Sequence, residues 1–245
     1  MLKYVIKSMR PAQWIKNLII FAPLVFSRNL FSGQLSLQIL AGFGVFCVLS
    51  GSVYIINDLT DLERDRLHPT KCRRPLASGK LSRKVAAFAL LILLGLSFAS
   101  AFEMGTGFLA VAAAYFVLNL LYSYLLKHVV IVDVMSISLG FILRVLAGAI
   151  LINVPITPWL LMCTMLLALF LGFAKRRHEL VQLEEAANSH RRVLMHYSPY
   201  FLDQMIMIVT ASTVMSYALY TISPDTVGHV GSNHLLYTTP FVLYG

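Results

Sequence analysis

Apolar runs long enough to cross a bilayer recur along almost the whole of this 245-residue chain. They can be read at roughly 15–32, 35–56, 85–102, 106–126, 130–152, 157–174 and 203–222, with an eighth beginning near Leu235, and a membrane-spanning helix needs about 17–25 residues. Lipid offers no partner for backbone N–H and C=O groups, so lipid-facing runs of this kind fold as helices. Hydrophobic residues make up 58% of the chain and charged ones 13%, which excludes an ordinary soluble domain. The expected fold class is therefore all-α, a polytopic membrane helix bundle of seven full helices plus a partial eighth. The first run is interrupted by Lys16, Asn17 and Pro23, and the last is cut short at Gly245.

The cations fall in alternate gaps. Lys3, Lys7 and Arg10 precede the first run, Arg64 to Lys84 follow the second, Lys127 follows the fourth, and Lys175 to Arg192 follow the sixth, whereas the opposite gaps hold almost nothing but Arg28. Because cytoplasmic loops are enriched in Lys and Arg, this places the amino terminus and both large polar loops in the cytoplasm. The net charge of +9 then reflects topology, and nucleic acid is a poor explanation for it. No signal peptide is expected, since the charged start runs into a segment too long and polar for a signal core. Cys47 and Cys163 lie in apolar runs and Cys72 stands alone, so neither a disulfide framework nor a Cys-x-x-Cys metal site is supported.

The polar end of the second run carries Asn57, Asp58, Asp61 and Asp65, followed by Lys71, Arg73, Arg74 and Ala77-Ser78-Gly79-Lys80. At helical spacing Asp58, Asp61 and Asp65 share one face, where three carboxylates repel unless a cation lies between them. Mg²⁺ is held by a few carboxylates while substrate phosphates complete its shell, and Lys71, Arg73 and Arg74 would grip the same phosphates. A solvated acidic turn at the membrane surface is the bland alternative. No histidine pair has the i, i+4 spacing of a metal site.

A second polar set follows the fourth run: Tyr122, Tyr124, Lys127 and then Asp133, which with Ser136, Gly140, Arg144 and Gly148 forms one stripe of the fifth helix. Charges inside a membrane segment are costly and face the bundle interior, where they pair or touch a ligand. Asp133 and Arg144 are candidates on that ground, and interhelical packing is the alternative. Beyond the sixth run, Lys175 and Arg176 sit near enough to the apolar boundary to reach a phosphate, and a charged helix is expected to run on through Glu184 and Glu185. Tyr197 and Tyr200 read as interfacial rings.

These residues resemble a known family. Asn57-Asp58-Leu59-Thr60-Asp61-Leu62-Glu63-Arg64-Asp65 resembles the N-D-x-x-D-x-x-x-D signature of the UbiA superfamily of intramembrane prenyltransferases. More narrowly, Arg10-Pro11-Ala12-Gln13-Trp14-Ile15-Lys16-Asn17, His68-Pro69-Thr70-Lys71-Cys72-Arg73-Arg74-Pro75, Leu126-Lys127-His128 and Gly140-Phe141-Ile142-Leu143-Arg144 resemble its decaprenyl-phosphate phosphoribosyltransferase branch. The resemblance implies one UbiA-like transmembrane domain over 1–245, nine helices in the family against the fewer read here, and so a missing C-terminal helix. Ile137 stands where aromatic prenyltransferases carry a second acid, which fits the phosphoribosyl branch.

That branch moves 5-phosphoribose from phosphoribosyl diphosphate to a polyprenyl phosphate with Mg²⁺ at the cytoplasmic side of the plasma (inner) membrane, in cell wall biosynthesis. Asp58, Asp61 and Asp65 would be catalytic through the metal. Lys16, Asn17, Lys127 and Arg144 would hold the acceptor phosphate or the ribose 5-phosphate, and Asp133 would bind ribose hydroxyls or a second cation. The lipid tail would leave sideways into the bilayer, and a homo-oligomer is compatible with the sequence. The competing readings are a UbiA-type aromatic prenyltransferase using a prenyl diphosphate, and a transporter or lipid-binding scaffold without chemistry.

Overall fold

The computed structural model describes residues 1–27, 29–185, 197–223 and Thr238. The eighth apolar run apart from Thr238, together with Arg28, His190, Arg192 and His196, lies outside these residues. All regular structure among the described residues is helical: α1 (Leu2–Ser8), a 3₁₀ helix (Pro11–Phe21) running into α2 (Ala22–Phe26), α3 (Gly33–Thr60), α4 (Leu62–Leu67), α5 (Arg83–Glu103), α6 (Thr106–Tyr124), α7 (Val132–Leu151), α8 (Pro158–Glu185) and α9 (Pro199–Ile222). Six of them, α3 and α5 to α9, are long and apolar enough to cross a membrane, so the chain is a multi-pass membrane protein.

The first expected span departs from the sequence reading. Instead of one membrane helix over 15–32, the chain forms the tighter 3₁₀ turn and then only five α-helical residues. Pro11 and Pro23 each remove a backbone donor, and Asn17 turns inward at 1% exposure, so side-chain bonding rather than lipid decides this segment. By contrast α8 runs past the apolar boundary to Glu185, as its charged continuation implies.

Residue proximity divides the chain into two compact units, one comprising 1–124 and 143–155, the other 125–142 and 156–245. In the first unit α3 is the central helix, packed by α1, the 3₁₀ segment, α5 and α6. Its residues Ile39, Phe46, Leu49 and Ile55 are fully buried, and Phe46 meets Phe108 and Tyr115 ring to ring. A second apolar cluster, with Met9, Ile55, Leu62, Leu76 and Leu81, lies around the end of α3. In the other unit α8 packs along α9, with Val134, Phe173, Leu202 and Val209 between the elements. Ser82 and Ser198 cap α5 and α9, accepting from the backbone N–H groups of Val85 and Phe201.

One glycine sets a helix approach within the first unit. A Cβ on Gly148 would lie 2.1 Å from the carbonyl oxygen of Ile20, and a backbone atom cannot swing aside as a side chain does. Gly148→Val is expected to cost about 1–3 kcal/mol, the usual range for overpacking, read as a lower unfolding midpoint in detergent. Gly44→Ala, where no atom lies within 4 Å of the added carbon, should leave that midpoint unchanged.

Candidate functional site

The acidic face survives the end of α3 because the helical path barely breaks there. Asp61 N–H donates to Asn57 C=O at 2.9 Å and Asp65 N–H to Asp61 C=O at 2.8 Å, so Asp58 and Asp65 stay two turns apart on one side. Both side chains are buried, at 2% and 5% exposure, and both meet arginines. Arg10 Nη2 donates to Asp58 Oδ1 at 2.6 Å. Arg74 Nη1 donates to the same oxygen at 3.2 Å and to Asp65 Oδ2 at 2.6 Å. A single cationic nitrogen thus bridges the two carboxylates.

Local structure fixes both arginines. Arg74 is extended, as a residue before proline prefers, and Leu76 and Leu81 are sunk in the apolar cluster at 2% and 3% exposure. Leu81 N–H donates to Pro75 C=O at 2.9 Å across a turn in which Gly79 takes φ +74°. Arg10 has φ 54° and ψ 67°, a left-handed backbone unusual outside glycine. It lies between the buried Met9 and Pro11, and its guanidinium lies 4.6 Å from the centre of the Tyr54 ring.

The structure leaves Asp61 outside the bridged pair, half-buried at the α3–α4 junction. Among the described residues no three carboxylate, histidine or cysteine side chains converge as a metal-ion cage. Two hard carboxylates bridged by one cationic nitrogen nevertheless suit Mg²⁺, which takes one or two carboxylates and completes its shell with water and phosphate oxygens. Asn57 is half-buried, and its carbonyl receives Asp61 N–H and the Thr60 hydroxyl. Lys71 and Arg73 stand exposed on a 3₁₀ turn just before Arg74.

A second network in the same unit gathers Asn17 and Arg144. Arg144 Nε donates to Asn17 Oδ1 at 2.7 Å and its Nη2 to the Tyr115 hydroxyl at 2.7 Å. Asn17 Nδ2 donates to Ser50 Oγ at 3.2 Å. This fixes the guanidinium plane inside the helices, as an intramembrane charge requires. Lys16, one residue away, is exposed.

In the other unit Asp133 and Arg176 are brought to each other. Arg176 Nε donates to Asp133 Oδ2 at 2.8 Å with both side chains buried to 1% exposure or less. Asp133 Oδ1 accepts from the Tyr197 hydroxyl at 2.7 Å and from Val134 N–H at 2.8 Å. Tyr197 accepts in turn from Ile131 N–H at 2.6 Å, where Ile131 has φ 68°. Burial first, then the carboxylate acceptor, push the Tyr197 phenol above its ordinary pKa. Lys175 pairs with Glu179 at 3.8 Å, Lys127 is half-buried on a short 3₁₀ turn, and Tyr124 is exposed at the end of α6.

Sequence reasoning missed three of these participants. Arg10 passed for a topogenic cation and Tyr197 for an interfacial ring, and Tyr115 drew no reading. The Arg10-Pro11 pair, which biases the backbone away from a right-handed helix, was the only local signal.

The sequence model of the UbiA prenyltransferase family matches residues 19–245. A decaprenyl-phosphate phosphoribosyltransferase of Corynebacterium glutamicum is 35% identical over 88% of this chain and 66% of its own length. The Mycobacterium tuberculosis protein of that name is 30% identical over 98% of this chain and 80% of its own. Among solved structures, a UbiA homolog from Archaeoglobus fulgidus bound to GPP and Mg²⁺ superposes with a TM-score of 0.74 at 20% identity, over 98% of this chain and 86% of that one.

Asp133 is the hub of its unit's network, so Asp133→Ala is expected to lose about 3–5 kcal/mol, as for breaking a buried ion pair. Tyr197→Phe should lose about 1–3 kcal/mol, since it removes the hydrogen bond given to Asp133 and the one taken from Ile131 N–H. Unfolding in mixed SDS–detergent micelles measures both, and wild-type stability of Asp133→Ala would remove the network from the folding account. The raised phenol pKa means that the folded state favours the protonated ring. Its contribution is complete below the ordinary tyrosine value of 10.0 and fades as pH climbs through the higher folded value.

Proposed function

Since the chain belongs to the UbiA prenyltransferase family, we propose that it transfers 5-phosphoribose from phosphoribosyl diphosphate to a polyprenyl phosphate, releasing diphosphate. The observation that carries this reading is the convergence of Arg10 and Arg74 on the buried Asp58 and Asp65. That set joins hard metal-ligating oxygens to phosphate-binding guanidinium groups in one place. The names of the relatives at 30–35% identity support the choice of donor and acceptor.

Asp58 and Asp65 would hold Mg²⁺, with Asp61 one turn from each on the same acidic face. The cation, when bound, supplies Lewis-acid neutralisation of the leaving diphosphate. Arg10 and Arg74, with the exposed Lys71 and Arg73, orient the diphosphate oxygens as fixed positive charge. The acceptor lipid phosphate is already ionised near neutral pH, so positioning outweighs proton transfer. Arg144, held by Asn17 and Tyr115, provides a preset cation for a phosphate. Lys16 is proposed as a further phosphate contact on its sequence position. By the positive-inside rule the site opens to the cytoplasm at the plasma membrane.

Purified protein given phosphoribosyl diphosphate, a polyprenyl phosphate and Mg²⁺ should yield the lipid-linked phosphoribose together with diphosphate, and EDTA should stop it. Asp58→Asn and Asp65→Asn should each lower turnover on the order of 100-fold, as for loss of a principal electrostatic group, in protein that still elutes as folded. Prenyl transfer to an aromatic acid instead would select the aromatic prenyltransferase reading. Absence of diphosphate release with either donor would leave the non-enzymatic scaffold.

A further inference from the structure

We propose that Arg10 and Arg74 are built-in occupants of the metal-ligating carboxylates, so that a divalent cation and a diphosphate-bearing ligand bind the site together and each binds poorly alone. This rests on the reading of the site as a metal-assisted diphosphate site and adds a rule for how it fills.

Charge is balanced as the site stands: two guanidinium groups face two carboxylates. A divalent cation arriving alone must take Asp58 Oδ1 from both arginines and Asp65 Oδ2 from Arg74. It would leave two unpaired positive groups beside it in a half-buried place, which is costly. Diphosphate arriving alone competes for the guanidinium charge that the buried carboxylates share through Arg10 Nη2 and Arg74 Nη1, and weakening those bonds with no cation to replace them is costly in the same way. When both arrive, the carboxylates pass to the metal and the arginines to the phosphates, and every charge keeps a partner.

The exposure pattern fits such an exchange. The carboxylates are at 2% and 5% exposure, but the Arg10 and Arg74 side chains are at 31% and 27%. An incoming anion therefore meets the arginines first. Tyr54 gives the Arg10 guanidinium a second contact, its ring centroid 4.6 Å away, so leaving Asp58 does not strand that cation in an apolar wall.

The full chain in detergent is titrated with Mn²⁺, free ion being followed by its aqua-ion EPR signal, with and without inorganic diphosphate at matched free Mn²⁺. Diphosphate is expected to tighten Mn²⁺ binding on the order of 5- to 150-fold, the usual range of coupling between two ligands. Arg10→Gln should bind Mn²⁺ alone more tightly than the wild type and lose most of the diphosphate effect, whereas Arg10→Lys, which keeps the charge, should stay close to the wild type. Adding Asp58→Asn to Arg10→Gln should abolish the gained affinity. Mn²⁺ binding indifferent to diphosphate in the wild type, or unchanged or weaker in Arg10→Gln, overturns the proposal, as does gained affinity that survives Asp58→Asn. Should Arg10→Gln not fold, Arg74→Gln carries the same expectation. Coupling that holds in protein unable to transfer phosphoribose would sink the substrate assignment and leave this proposal standing. Transfer activity without coupling would do the reverse.

Discussion

Everything distinctive about this chain follows from the need to compensate buried charge where helices leave an apolar environment. A carboxylate taken out of water costs several kcal/mol in effective terms unless it is paired and hydrogen-bonded. Asp58, Asp65 and Asp133 are all buried, and each receives a guanidinium. The local backbone is shaped to deliver those guanidiniums: a left-handed Arg10 before a proline, an Arg74 tethered by Leu76 and Leu81, and an Arg176 on the polar extension of α8. Even the first apolar run yields to this demand, giving up a full membrane helix for a 3₁₀ segment that turns Asn17 toward Arg144.

What the sequence made legible was periodic or charged. Bilayer-length apolar runs located α3 and α5 to α9, because lipid leaves the backbone no alternative to a helix. The spacing of Asp58 and Asp65 put them on one face, and the N-D-x-x-D-x-x-x-D resemblance led to the UbiA family that the comparison bears out. The first run, already interrupted in the sequence by Lys16, Asn17 and Pro23, falls short of a spanning helix because the inward bond of Asn17 and the donor lost at Pro23 weigh more on the backbone than the hydropathy of its neighbours.

The partners were the illegible part. Nothing in sequence distance tells that Arg10 reaches Asp58 across 48 positions or Tyr197 reaches Asp133 across 64. Asp133 and Arg176 were each read as a ligand contact, yet a buried acid and a buried base in one unit first satisfy each other. Asp61 shared the helical offset of its neighbours, but it sits where α3 passes into α4 and does not join the bridged pair.

The two ion-pair networks look alike as contact lists and differ in one physical respect. Arg176 and Asp133 are each at 1% exposure or less, so breaking that pairing would strand a buried acid, although Arg176 Nη1 also donates to the part-exposed Glu179. Arg10 and Arg74 are about a third exposed over carboxylates that are not, so a phosphate can reach them without first uncovering the acids. Buried ion pairs are weak evidence for stability, because well-packed apolar residues often serve as well or better. A half-open pair over sealed acids is then better understood as a device for exchange, and the sealed pair as the fixture that holds α7, α8 and the start of α9 in register around it.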